Sequence, residues 1–427
     1  MKPIHGVMAA ALIAAVPLLR ATDPFDTLEE HLAVSTPDDF FRVHLSGTLD
    51  LEEYAARDPD PGLLITSGSS PLFAPRLSVF LDAQAGPYVY AFVQSRVDQG
   101  FDPGYDGSLT SRLDEYVLRF TPSPTRRFNF QIGKFATVVG NWTLRHSSWD
   151  NPFITAPLPY NTLTGVWDAV AARSVPELLQ WAHVVPFPAT VADRDKNLRL
   201  PIVWGPGYAT GAAIFGDFGL LRYAAEVKNA SLSARPDEWS PQQRLWANPT
   251  FSGRLGLRPE EAWDLGFSAS EGSYLRDSAA STIPAGRSLG NYREIVLGQD
   301  VSYSWHHFQA WAELYEARFE IPAVTNADTA AYYVEAKYKF TPQFSGAIRW
   351  NQQLYAALAV PDIDSPGEAS VPAHRQAWGN DLWRIDLAPA YRVTPYLQLK
   401  LQLSLEEGTP GAHGVVPMIG SQLTIRW

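Results

Sequence analysis

The chain of 427 residues contains no cysteine and only 3 methionines. Without cysteine it can form no disulfide framework, no thiolate metal site and no cysteine nucleophile. Long hydrophobic runs are also scarce. The apolar stretch 7–19 is well short of the roughly 18 residues that a membrane-spanning helix needs. These absences exclude a disulfide-stabilised scaffold and a helical membrane protein.

The apolar stretch has the pattern of a secretory signal. Lys2 precedes it, and Ala21 supplies a small residue before a cleavage point. We therefore predict a signal peptide over residues 1–21. A short acidic segment, 22–40, follows it and precedes the main structural unit.

Acidic residues outnumber basic ones, giving a formal net charge of −11. The acids concentrate in residues 22–40 and in the long loops, whereas the remaining segments are close to neutral. A chain without a basic patch offers little to a phosphate backbone, so nucleic acid is not an expected partner.

Alternation of apolar and polar residues recurs along residues 41–427. In the clearest case, leucines at every second position from Leu397 to Leu405 alternate with Gln398, Lys400 and other polar residues. A period of two indicates strands with two different faces. These strands run to the nine to eleven residues or more that a tilted strand needs to cross a bilayer, longer than is usual in soluble proteins.

Short and long connections alternate between the strands, as they do in membrane β-barrels. Counting them predicts an all-β fold: a transmembrane antiparallel β-barrel of about 18 strands over 41–427, with short periplasmic turns and long extracellular loops. Two strands, near Thr164–Arg173 and Leu178–Val185, alternate poorly, with a turn predicted at Val175–Pro176 between them. Omitting these two strands gives an alternative of 16.

Aromatic residues flank several short turns, and the last strand ends on Trp427. Rings are favoured where an apolar band meets lipid headgroups. With the signal, the alternating strands, the Thr-Pro turns and a long third loop, the chain resembles the porins of Gram-negative bacteria. Residues 130–142, FQIGKFATVVGNW, resemble the segment of phosphate-selective and related substrate-selective porins that leads into the constriction loop.

The resemblance implies a location in the bacterial outer membrane and contact with its lipid. It implies passive diffusion of small hydrophilic solutes or ions through a water-filled channel, with no catalysis. It further implies a homotrimer, and recognition of the strand that ends at Trp427 by the barrel-assembly machinery.

The third loop, 138–162, is expected to fold into the barrel and narrow the pore. Arg145 has a planar guanidinium suited to a carboxylate or phosphate, and the aromatic rings could either stack on a solute or fix the loop to the wall. The residues predicted at the constriction are Trp142, Arg145, His146, Trp149, Asp150 and Tyr160.

Alternation places charged residues of both signs on the inner face. They could guide anions past an acidic wall, or form a solvated lumen with little preference. The cations predicted to line the pore are Arg42, Arg96, Arg119, Arg222, Lys228, Arg254, Arg349, Arg384 and Lys400.

Two other functions stay open. An outer-membrane hydrolase with a site at the rim would need a nucleophile and a base that converge, and Ser147 or Ser148 beside His146 is the nearest candidate. A barrel with a structural or assembly role is the other. No phosphate-binding, serine-hydrolase or zinc motif is present, so neither cofactor nor metal is predicted.

Overall fold

The computed structural model describes residues 24–56, 62, 64, 71–101, 108–183, 199–239, 246–362 and 372–427. Within these residues, sixteen antiparallel strands form one closed sheet, in which each strand pairs with its neighbours and the last pairs with the first. In chain order, β1 to β16 span Phe41–Ala56, Leu72–Ala85, Val89–Asp98, Thr110–Phe120, Asn129–Phe135, Ala209–Phe218, Leu221–Lys228, Thr250–Leu257, Trp263–Ser273, Arg293–Trp305, Phe308–Ile321, Thr325–Lys339, Phe344–Tyr355, Leu382–Arg392, Leu397–Glu407 and Val416–Arg426.

The prediction of an antiparallel barrel is confirmed, with the alternative count of sixteen strands rather than eighteen. Residues 164–173 contribute only an isolated bridge between Trp167 and Arg199. The described part of the next predicted strand lies in a helix, Val175–His183, so the turn predicted at Val175–Pro176 is wrong. The loop predicted at 138–162 therefore belongs to one long connection, residues 136–208.

The other helices are short and are not part of the barrel wall. They comprise the α-helices Pro24–Leu32 and Leu158–Asn161 and the 3-10 helices Trp142–Arg145, Asp277–Ser281 and Leu289–Asn291. A three-residue strand, Ala33–Ser35, pairs with the start of β1, and a small hairpin joins Ala357–Val360 to His374–Ala377. The predicted signal peptide, 1–21, lies outside the described residues.

The two ends of the barrel differ in their connections. At one end, called here the turn end, strands are joined by short segments such as Gly219–Leu220 and His306–His307. Gly219 and His306 have φ of 63° and 49°, the positive values that tight two-residue hairpin turns require. The opposite end, called the loop end, carries the long connections. It also carries one short connection, residues 322–324.

Alternation along each strand separates an apolar outer face from a polar inner face. On β15, Leu401 and Leu403 are 50% and 40% exposed on the outside, while Lys400 and Gln402 are 3% and 1% exposed on the inside. Exposed rings mark the turn end of the outer face, among them Phe120, Phe128, Phe218, Trp305, Phe340 and Tyr391. The outer surface therefore has the apolar band and the girdle of aromatic residues that are typical of a barrel in a bilayer.

Trp427 lies at the seam where the barrel closes. Its backbone N–H donates to the carbonyl of Gly47 at 3.1 Å, and the N–H of Gly47 donates back at 3.1 Å. Its indole packs so closely on Gly47 that a Cβ there would lie 2.3 Å from the ring. Glycine at position 47 thus makes room for the terminal tryptophan.

Candidate functional site

Residues 136–208, called here loop three, leave the wall after β5 and return to it at β6. Lys228, on the inner face of β7, holds both ends of the loop because its Nζ donates to the carbonyls of Phe135 at 2.8 Å and Gly207 at 3.2 Å. The neighbouring Glu226 accepts from Thr137 Oγ1 at 2.7 Å. The first and last residues of loop three are therefore held together where the loop leaves the barrel wall.

The first turn of the loop is fixed by Glu313, on the inner face of β11. Its Oε1 accepts from the backbone N–H of Asn141 at 2.5 Å and of Trp142 at 2.8 Å. Its Oε2 accepts from the hydroxyl of Tyr160 at 2.6 Å. One carboxylate thus joins the start and the middle of the loop to the wall.

Arg145 binds the wall through β11 and β12. Its guanidinium donates to Glu335 Oε1 at 2.7 Å and to the hydroxyl of Tyr333 at 2.9 Å. It also lies 4.4 Å from the ring centre of Trp311, in cation–π geometry. With its side chain only 11% exposed, Arg145 is a clamp between loop and wall.

Side chains of the barrel wall also form hydrogen bonds with backbone groups of residues 151–158 of the loop. Arg349 and Arg384 donate to the carbonyls of Thr155 at 3.0 Å and Ala156 at 2.6 Å. Lys400 donates to the carbonyl of Asn151 at 2.6 Å, and further polar side chains on β13 and β15 accept from backbone N–H groups. Irregular backbone has no ladder of its own, so burying it requires partners of this kind.

The other residues predicted at the constriction lie along the same loop. The rings of Trp142 and Tyr160 are 4.5 Å apart and nearly fully buried. Trp149 is 8% exposed, and the guanidiniums of Arg392 and Arg426 lie 5.0 and 4.1 Å from its ring centre. Asp150 is exposed and accepts from Ser147.

The nine cations predicted to line the pore fall into three groups. Lys228, Arg349, Arg384 and Lys400 are 0% to 3% exposed and hold loop three. Arg42, Arg96, Arg222 and Arg254 form ion pairs with inward or turn-end carboxylates. Arg119 bonds to Gln131 and lies over the rings of Tyr90 and Phe215.

Sequence reasoning missed three anchors of the loop, Glu313, Asn351 and Gln402. Glu313 is two residues from both Trp311 and Tyr315 and shares their face of the strand, so the spacing from the turn at His306–His307 could have placed it on the inner face. Nothing in the sequence indicates that these side chains meet the loop rather than water.

His146 is held as a neutral ring. Its Nδ1 lies 2.6 Å from the carbonyl oxygen of Thr143, which can only accept, so Nδ1 carries the proton. Nε2 is then free to accept from the hydroxyl of Tyr208 at 2.9 Å. Burial lowers the pKa of His146 to about 4.

His146 should therefore make the folded barrel less stable in mild acid. In the unfolded chain the ring titrates near 6.5. The contribution of the neutral His146 to the free energy of unfolding is therefore fully present above that pH. It falls as pH decreases toward 4, where the native ring also binds a proton. Urea unfolding across this window should show a smaller loss for His146→Gln, which cannot gain a proton. Equal losses in both proteins would contradict this assignment.

In the described ranges, no group of three or more histidine, aspartate or glutamate side chains is placed to hold a metal ion. No helix in the part of the chain that the structure covers is long and apolar enough to cross a membrane.

Solved structures with a similar fold include three outer-membrane proteins. OmpF of Salmonella typhi, in complex with daunomycin, has a TM-score of 0.54 and 9% identity over 92% of this chain and 100% of that chain. The outer-membrane channel DcaP of Acinetobacter baumannii has a TM-score of 0.54 and 10% identity over 92% and 99%. The anion-selective porin from Comamonas acidovorans has 0.52 and 9% over 91% and 100%.

No protein-family model matches the chain, and no curated protein matches it by sequence. At identities of 9% to 10% the likeness to solved structures concerns the fold alone. The closed sixteen-stranded sheet, its apolar outer face and this likeness together confirm the expected architecture. The chain is a β-barrel of the bacterial outer membrane with the fold of a porin.

Proposed function

We propose that the chain is a porin through which small hydrophilic solutes or ions diffuse passively, with loop three setting the width of the path. The observation that carries the proposal is the set of bonds from loop three to the inner face of the barrel, which runs from β7 to β15. A long segment held inside a closed barrel reduces its open cross-section.

The free path is proposed to run between loop three and the wall formed by β1 to β4. On that wall Arg76 pairs with Asp50 at 3.1 Å, and Arg96 pairs with Asp114 at 3.0 Å. The arginine side chains are 24% and 18% exposed, whereas the two carboxylates are 1% exposed, so water meets mainly the guanidiniums. On the loop, Leu144 is 77% exposed, which indicates open space beside it.

The hydrolase alternative lacks the contact that it needs. Ser147 donates to Asp150 at 2.8 Å, while both nitrogens of His146 bond to Thr143 and Tyr208. Neither nitrogen is therefore left to take a proton from a serine. This arrangement favours the channel over an enzyme at the rim.

The lipid contact, the homotrimer and the role of the Trp427 strand in assembly belong to the same proposal. The apolar outer face supports contact with lipid, and the terminal backbone pairs with Gly47 across the closing seam. Chemical crosslinking of the protein in native membranes would test the trimer.

The full chain, folded into planar bilayers in potassium chloride, should give discrete current steps. Liposomes that contain the protein should swell in small neutral sugars and progressively less in larger ones, because solutes must pass the narrowed section. Absence of steps above the protein-free background would reject the porin proposal.

A further inference from the structure

The inner wall carries a recess on the turn-end side of loop three. Its floor consists of small residues on β13 and β14, where Ser345 pairs with Ala390 and Ala347 pairs with Ala388. Long side chains occupy the adjoining strands, so these four residues leave a depression between them. We call it the basic recess.

Loop three forms the roof of the basic recess. Trp149, Asn151 and Pro152 lie over the floor. The ring of Trp149 is fixed between Arg392 and Arg426, and Lys400 donates to the carbonyl of Asn151. The fold therefore holds both the floor and the roof of the recess in place.

Cations surround the floor. Lys337 pairs across the sheet with Ala347, Lys339 with Ser345, and Lys400 with Ala390. Arg392 completes the set of four, and none of the described residues that line the recess is acidic. Asp150 and Glu335 are the carboxylates that act on Lys337, but Glu335 already pairs with Arg145 and Arg349.

Two observations indicate that the recess lacks its partner. Among the described residues, the ammonium groups of Lys337 and Lys339 take part in no hydrogen bond or ion pair, although Lys337 is partly buried. In addition, Gln398, at 4% exposure, has its Nε2 buried without an acceptor, while its Oε1 accepts from Arg392. Donors and positive charge without acceptors are costly to bury.

We propose that the basic recess binds a small organic anion, with a carboxylate or other oxyanion head among Lys337, Arg392 and Gln398 and a compact apolar body against the alanine floor. This proposal rests on the proposed channel function and names the solute class that the channel takes. Bound in the basic recess, such a solute lies inside the barrel on the turn-end side of loop three.

The test uses benzoate as the probe and saturation-transfer NMR on the full chain folded in detergent micelles. Benzoate should give a saturable signal, and inorganic sulfate should displace it. Benzyl alcohol, which has the same ring without the charge, should give none. Lys337→Gln should weaken benzoate binding about tenfold, the effect of losing one hydrogen bond to a charged group.

Among the described residues Lys337→Gln removes no hydrogen bond or ion pair, so the barrel should fold, and Lys337→Arg should restore binding. Arg258→Gln is the matched control, since Arg258 is also a turn-end cation but is 50% exposed and pairs with Asp264. It should bind benzoate like the unchanged protein. A benzoate signal that Lys337→Gln leaves unaltered, or an equal signal from benzyl alcohol, would overturn the proposal.

This readout does not depend on conductance. If benzoate binds through Lys337 but bilayers show no current steps, the channel proposal fails and the anion site stands. If current steps appear but benzoate does not bind, the anion site fails and the channel stands.

Discussion

Conductance should rise about threefold or more when loop three is removed, since a barrel of this size is narrowed only by what folds into it. The structure gives a clean design. Thr137 N–H donates to the carbonyl of Pro206 at 2.9 Å, so the two ends of the loop already lie side by side. Replacing residues 138–205 with Asn-Gly, which favours a tight hairpin turn, should close that gap without straining β5 or β6.

The wall should tolerate this deletion. Arg349 keeps its pair with Asp386 at 2.9 Å, and the carboxylate of Glu313 becomes hydrated when water fills the space of the loop. Replacing residues 409–414, in a loop between β15 and β16, with the same Asn-Gly is the control and should leave conductance unchanged. If conductance is the same with and without loop three, the loop is not the constriction.

The second large effect is expected at the clamp between Arg145 and Glu335. Among the residues that the structure describes, Arg145→Ala leaves Glu335, which is 0% exposed, with only the 3.6 Å contact to Arg349. Removing one partner of a buried pair costs about 3–5 kcal/mol, so the free energy of unfolding in urea should fall by about that amount. The released loop should also make single-channel current noisier.

A double-mutant cycle measures the interaction energy between Arg145 and Glu335 separately from their other contacts. Arg145→Ala combined with Glu335→Gln should lose less stability than the sum of the two single variants, since neither then leaves an uncompensated charge. Arg318→Ala is the control, because its pair with Asp328 is about half exposed on both sides and such pairs contribute about 0–1 kcal/mol. Additive losses at Arg145 and Glu335 would show that the clamp is not a coupled pair.

Period-two alternation was sufficient to predict the barrel because each strand obeys it independently. It failed at residues 178–185, where the spacing of Leu178, Leu179 and Ala182 is helical, and these three residues are buried on one face of the helix Val175–His183. Proline near the start of that segment and Glu177 in its first turn were the available signals.

Inner-face positions could be predicted, but their partners could not. Alternation places Arg349 and Lys400 inside the barrel whether they face water or protein. What decides between these surroundings is the course of loop three, and an irregular segment has no period from which its course can be read. For this reason alternation could not show that Lys228, Arg349, Arg384 and Lys400, which it predicts to line the pore, bind loop three.

The anchors of loop three also bear on the order in which the protein folds. The hydroxyl of Tyr160 bonds to Glu313, which is 153 positions later in the chain, and the N–H of Ile154 bonds to Gln402, which is 248 positions later. Contacts so distant in sequence form slowly, because a large part of the chain must lose conformational entropy before these contacts stabilise it. Seating of the loop should therefore be a late step that accompanies closure of β16 on β1, and a chain without the loop should complete its barrel sooner.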